Sequence, residues 1–315
     1  MGKFVKFLIF SAALLFGVVA GLSLTLITGQ EQHSLALVSP TIPQEEAGRR
    51  LFESRFSIPA RNRELPARLV PRDDEIAHRP RIAIIIDDLG FSAKQTRQVA
   101  SLPGPMTLSF LPYPPGVAEQ AAFAKSQGHE IFLHLPMEPG TGGEAHERLA
   151  DPGPGALMTT MSKETLQAML EKSLEKIPDI AGVNNHMGSR FTKDRTKLKI
   201  VMSMLAERDL IFVDSLTNGG SYGSQIAGQA GLPVLTRDVF LDADFGKGGA
   251  ASVRAQLAEL ERIALEEGEA IAIAHPYATT LEALGPWLVT APARGFDIVP
   301  VSALGAEQSP LAAKK

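Results

Sequence analysis

The chain has 315 residues, a formal charge of −4, 44% hydrophobic residues and 21% charged residues. That length suits one large domain with appendages, that composition excludes a wholly disordered chain, and the lack of a basic excess argues against an extended nucleic-acid surface. Zero cysteines exclude disulfide staples, thiolate catalysis and cysteine-held metal centres, so any metal must sit on His, Asp and Glu.

Lys3 and Lys6 precede an uncharged apolar stretch from Phe7 to Thr28. As a helix, its ~22 residues span roughly 33 Å, enough to cross a bilayer. Val18-Val19-Ala20 is a passable cleavage site, but the apolar run continues through Leu22, Leu24, Leu26 and Ile27, which favours an uncleaved anchor over a removed signal peptide. With both lysines before the span, the positive-inside bias sends the remainder outward, into the periplasm if the membrane is a bacterial inner membrane. Residues 29–79 scatter Pro40, Pro43, Pro59, Pro66 and Pro71 among charges with no period. They read as a flexible linker, with one helical turn around Glu45 to Phe52, because this composition buries too little apolar surface to offset ordering entropy.

From Arg81 the pattern turns regular. Arg81 to Asp87 (RIAIIID) is a continuous β-branched run of the kind that a parallel strand covered on both faces requires. Ser92 and Gln95 form a capping box for the next helix, which Leu102 and Pro103 close. Then come a strand over Met106 to Leu111, a helix from Pro115 to Gln127 ended by Gly128, and a strand over Glu130 to Leu135. The Gly/Pro-rich segment Pro136 to Gly155 is long enough for a lid or substrate loop. A helix with Leu166, Met169, Leu170, Leu174 and Ile177 at helical spacing follows, then a strand over Ile180 to Asn185, a helix over Lys193 to Arg208 and a strand over Leu210 to Asp214. Ser224 to Gln229 reads as a short helix, Val234 to Leu241 as a strand and Ala250 to Glu267 as a helix closed by Gly268. Ala270 to Ala274 is a strand, Thr280 to Ala293 a helix broken near Pro286, and Asp297 to Val301 the last strand. Repeated βα units over residues 80–302 predict an α/β fold, a distorted (β/α) barrel of seven or eight parallel strands, with residues 303–315 as a tail. No G-x-G-x-x-G follows the first strand, which removes the main support for a dinucleotide fold.

A parallel barrel gathers its chemistry at the carboxyl ends of its strands. Here those ends carry Asp87-Asp88, His134, Asn185-His186, Asp214, Asp242 and His275. Asp87-Asp88 alone could simply begin a helix, and His134 or His275 alone could be a hydrogen-bonded core histidine. Three histidines and two aspartates from different strands in one bowl are explained more economically by a divalent-metal site, where one carboxylate ligates and its neighbour is held back as a base.

Together, IAIIIDDLGFS, EIFLHLPMEP, GVNNHMGSRFT, LIFVDSLT and IAIAHP, in this order over residues 81–302, resemble the divergent polysaccharide deacetylase family, distant relatives of NodB-type carbohydrate esterases. The resemblance implies a metal-dependent deacetylase barrel in which Asp87 is the base, Asp88 a metal ligand and His275 the general acid. Typical NodB-type enzymes take two further ligands from His-x-x-x-His, whereas this chain reads His134-Leu-Pro-Met-Glu138. His186 is favoured over Glu138 as the third ligand, since imidazole suits zinc. Asp88, His134 and His186 would then hold zinc or a similar divalent ion, for removal of N-acetyl groups from an envelope glycan. Asp214 is a candidate to orient a catalytic group, and Asn185, Arg190 and Arg237 to contact substrate; Tyr113 and Trp287 are stacking candidates, with a core role favoured for Trp287. The expected partners are a glycan and, through the N-terminal span, the inner membrane, with no nucleic acid. Two other readings stay open: a catalytically silent barrel that binds glycan or a cell-wall enzyme, and a phosphoester hydrolase, which would call for a second metal and more carboxylates.

Overall fold

The computed structural model describes residues 79–140, 151–244 and 247–308. The N-terminal span, the linker with its helical turn, and the residues after 308 lie outside them. Among the described residues no helix is long and apolar enough to cross a membrane.

Among the described residues nine parallel strands form one curled sheet. They are β1 (Arg81–Leu89), β2 (Thr107–Phe110), β3 (Glu130–Met137), β4 (Gly182–Met187), β5 (Ile211–Asp214), β6 (Leu235–Thr236), β7 (Val239–Phe240), β8 (Glu269–Ala274) and β9 (Asp297–Ile298). The order is β6-β5-β4-β3-β2-β1-β8-β7, with β9 beside the start of β1. The two ends of this path, β6 and β7, are separated in sequence only by Arg237 and Asp238. The single strand expected over Val234 to Leu241 is therefore split: its first half pairs with β5 and its second with β8, so one run of chain bridges the two edges of the curl.

Around the sheet stand α1 (Ala93–Ala100), α2 (Val117–Ser126), α3 (Lys163–Leu174), α4 (Arg195–Ala206), α5 (Gly223–Gln229), α6 (Gly249–Glu267), α7 (Ala278–Thr290) and α8 (Val301–Gln308). Other boundaries and contacts also differ from expectation. Helix α7 runs through Pro286 rather than breaking there. The last strand is only Asp297–Ile298, and the segment read as its end and the start of the tail is α8, whose Val301 and Leu304 bury themselves in the inner core. Ser92 does cap α1 by accepting from the Gln95 amide, but the Gln95 side chain does not return the bond; it donates to the Pro276 carbonyl at 2.8 Å and ties α1 to the loop after β8.

Strand alternation sorts the core into two layers. Ile82, Ile84 and Ile86 of β1, Leu133 and Leu135 of β3, and Ala272 and Ala274 of β8 pack outward under the helices. Ala83, Ile85, Phe132, Val213, Ile271 and Ile273 fill the inside of the curl. Gly182 is required at its inner position, since a Cβ there would lie 2.5 Å from the Phe132 ring and 2.8 Å from the Ile211 carbonyl oxygen. Continuing each inner series by two residues reaches Asp87 after Ile85, His134 after Phe132, His186 after Asn184 and His275 after Ile273. The site is thus the upper end of the inner layer.

Candidate functional site

In a regular strand, Asp87 and Asp88 would face opposite sides of the sheet. They do not, because β1 bulges: Ile86 pairs with Leu108 and Leu89 with Phe110, which sets three steps of β1 against two of β2. Asp88 sits in the left-handed region at φ 58°, and with that turn its carboxylate joins Asp87 above the inner core. Met187 (φ 53°) after His186 and Leu216 (φ 48°) after Ser215 are bent the same way. Backbone strain therefore collects at the ends of β1, β4 and β5, where the loops turn over the bowl.

The bowl is a cavity of about 190 Å³ lined by Asp87, Asp88, His134, His186, Arg237 and His275 among others. Asp88 Oδ1 lies 3.4 Å from His134 Nε2 and 3.1 Å from His186 Nδ1, and the two imidazole nitrogens are 3.1 Å apart. Ligand atoms about 2.0 Å from a tetrahedral cation are separated from one another by about 3.3 Å, so these three atoms have the spacing of one face of such a shell. Asp88 Oδ1 is buried with no hydrogen-bond partner, an arrangement that costs stability unless a cation or proton joins it. The residues present fit a divalent ion, and the donor set of one carboxylate and two imidazoles suits zinc.

The flanking groups are oriented from outside the bowl. Asp87, 2% exposed, accepts from Asn184 Nδ2 with both oxygens, at 2.9 and 3.0 Å. Burial pushes its carboxyl up from the ordinary range, against the opposing fields of His134 and His275. Burial also opposes ionisation of Asp88, but the two imidazoles that face it, His134 and His186, outweigh burial and hold this carboxyl well below its usual value. On the opposite wall, Asp242 Oδ1 accepts from His275 Nδ1 at 3.0 Å, while its Oδ2 accepts from the His275 backbone N–H and from Thr280 Oγ1, both at 2.7 Å. His275 Nε2 is thereby aimed at Asp88 Oδ2, 3.6 Å away. Burial disfavours the imidazolium, yet Asp242 and Asp88 prevail and push His275 up to about 9.

That shift gives a testable pH dependence for the protein stripped of metal by a chelator. A histidine raised from 6.5 to about 9 contributes stability that is complete below pH 6.5 and lost as pH rises through 9. His134 is raised too and acts in the same direction, whereas His186 is lowered and is neutral in both states above pH 6.5. Unfolding free energy measured in denaturant is expected to fall between pH 6.5 and 9 by up to about 1.4 kcal/mol per pH unit on account of His275, and Asp242→Asn is expected to flatten that slope.

The structure brings together Asp87, Asp88, His134, His186 and His275, and it places Arg237 in the cavity wall, over the Phe240 ring and donating to the Ser215 and Leu216 carbonyls. Asn185 lines the cavity, but its amide is spent on the Met187 carbonyl and the Ser215 N–H, joining β4 to the loop after β5. Two of the candidate residues are elsewhere. Asp214 lies on the outward parity of β5 and holds the start of α5, accepting from Leu216 N, Ser221 Oγ and Ser224 N. Arg190 is largely exposed and pairs with Glu138 at 3.3 Å, outside the cavity lining. Glu138 is also held by the amide and hydroxyl of Thr159, both 2.6 Å from its Oε2. Trp287 is buried on α7, with its indole N–H on Glu261, as a core role requires. The sequence placed Asp242 at a strand end but gave it no role, and it gave no signal for Asn184, Ser109, Thr280 or Tyr277, whose ring stacks on His275 at the cavity wall; counting back two residues from His186 would have reached Asn184.

Residues 84–305 match the family model described as divergent polysaccharide deacetylase. The chain belongs to the divergent polysaccharide deacetylase family. Uncharacterized protein YibQ of Escherichia coli (strain K12) is 31% identical to it over 204 residues, which cover 65% of this chain and 61% of that protein. An uncharacterized protein of Haemophilus influenzae is 32% identical over 204 residues, covering 65% of this chain and 69% of its own. The match therefore spans less than two thirds of the E. coli relative. The crystal structure of uncharacterized protein ATU2773 from Agrobacterium tumefaciens C58 superposes with a TM-score of 0.66 at 32% identity, over 72% of this chain and 89% of that one.

Proposed function

We propose that this deacetylase-family chain removes N-acetyl groups from an envelope glycan of peptidoglycan type, with a divalent ion, zinc by preference, on Asp88, His134 and His186. The observation that carries this reading is the position of an orphaned carboxylate oxygen within 3.4 Å of two imidazole nitrogens, with Asp87 on one side and His275 on the other. The bound ion supplies Lewis acidity for water and for the amide carbonyl. Asp87, held by Asn184 and raised by burial, accepts a proton from the attacking water. His275, kept protonated and oriented by Asp242, donates a proton to the amide nitrogen as the C–N bond breaks, giving acetate and a free amine. Arg237 is the charged wall residue best placed to meet the sugar. The apolar span over Phe7 to Thr28 supports a membrane-anchored enzyme facing the periplasm.

The experiment is zinc content together with acetate release from N-acetylglucosamine oligomers by the purified chain. About one zinc per chain with acetate release is the expected result. One zinc per folded chain with no acetate from any N-acetylated glycan would replace this reading with a silent glycan-binding barrel.

A further inference from the structure

Asn184 is completely buried on the inner face of β4, beside His134 in the β3–β4 register. A carboxamide has two N–H hydrogens and two carbonyl lone pairs, and each is engaged here. Nδ2 donates to Asp87 Oδ1 and Oδ2 at 2.9 and 3.0 Å and to Ser215 Oγ at 3.3 Å. Oδ1 accepts from Ser109 Oγ at 2.6 Å and faces His134 Nδ1 at 3.1 Å. Rotating the amide by half a turn would set its oxygen against the Asp87 carboxylate, so the contacts fix its orientation. With Oδ1 as the acceptor, His134 carries its hydrogen on Nδ1, and its Nε2 lone pair is left toward Asp88 and His186.

We infer that Asn184 is a positioning residue that sets two lone-pair directions at once: those of Asp87, held by a neutral donor, and that of His134 Nε2, released toward the metal position. This rests on the deacetylase reading for its activity arm but not for its stability arm. Asparagine alone among residues of this shape can do both, because aspartate offers two acceptors and no donor. Asn184→Asp keeps an acceptor for Ser109 and His134 but replaces the N–H that faces both Asp87 oxygens with a second carboxylate oxygen, so the base loses the donor that orients it.

The test compares wild type, Asn184→Asp, Asp87→Asn and the double variant Asp87→Asn/Asn184→Asp for zinc content, melting temperature and the kinetics of acetate release from an N-acetylglucosamine tetramer. Asn184→Asp is expected to retain zinc, melt lower than wild type and lose about 100-fold or more in kcat, with KM changed by less than about threefold. The double variant, which restores an amide–carboxylate pair in the reverse sense, is expected to regain most of the melting temperature. Its kcat is expected to be no lower than that of Asp87→Asn alone, because both changes act through one base. Losses that multiply in the double variant, or a melting temperature that does not recover, would overturn the inference. So would a kcat within about threefold of wild type in Asn184→Asp. If wild type binds zinc but releases no acetate, the deacetylase reading fails, while the recovery of melting temperature still tests the Asn184 tether.

Discussion

Asp88→Asn is expected to empty the metal position and to lower acetate release by about 10³-fold or more, with the fold retained. Asp88 is the one anion among the three groups, and its Oδ1 is the atom common to both imidazole contacts. An amide of equal size presents a weak neutral oxygen or an N–H to the same spot, which leaves His134 and His186 to hold a dication alone. Loss of several kcal/mol of Lewis-acid stabilisation corresponds to a rate loss of that size. The side chain stands at the rim with about a third of its surface exposed, so the core beneath it is not disturbed. Metal content per chain and a melting curve check the two halves of the expectation: near-zero zinc, and cooperative unfolding.

Asp87→Asn is expected to separate binding from turnover. Asp87 faces Asn184 and lies 3.6 Å from His134 Nδ1, on the far side of that ring from Nε2, so it is no part of the ligand triangle. Zinc is expected to remain bound while kcat falls by about 10² to 10⁴, the range for loss of a general base, with little change in KM. Equal loss of zinc in Asp87→Asn and Asp88→Asn would mean that the two carboxylates do not divide labour as argued. Single-turnover kinetics on zinc-loaded protein make the comparison cleanly.

Much of the fold was legible because period and punctuation agreed. RIAIIID is a β-branched run of the type seen in a strand covered on both faces, and the alternation of such runs with helical spacing left few topologies. The convergence of Asp88, His134, His186 and His275 followed from the same pattern, since parallel strands deliver their carboxyl ends to one rim. What was not legible depended on departures from period. The bulge that turns Asp88 beside Asp87 leaves no mark in the composition of β1. The split between β6 and β7 hid the role of Asp242, because its contact with His275 depends on the shift in strand pairing at Arg237 and Asp238. Asp214 misled for a related reason: it ends a strand on the rim, but with outward parity, and strand-end position without parity does not say which face a side chain takes. Arg190 misled because its nearest opposite charge, Glu138, lies on the neighbouring loop.

Asp88, His134 and His186 are expected to converge on one cation. Diffraction from zinc-loaded crystals at the zinc absorption edge tests it most directly. A single anomalous peak is expected about 2.0–2.2 Å from an Asp88 oxygen, His134 Nε2 and His186 Nδ1. A folded protein with no peak there at saturating zinc, or with the ion held by Glu138 instead, would contradict it.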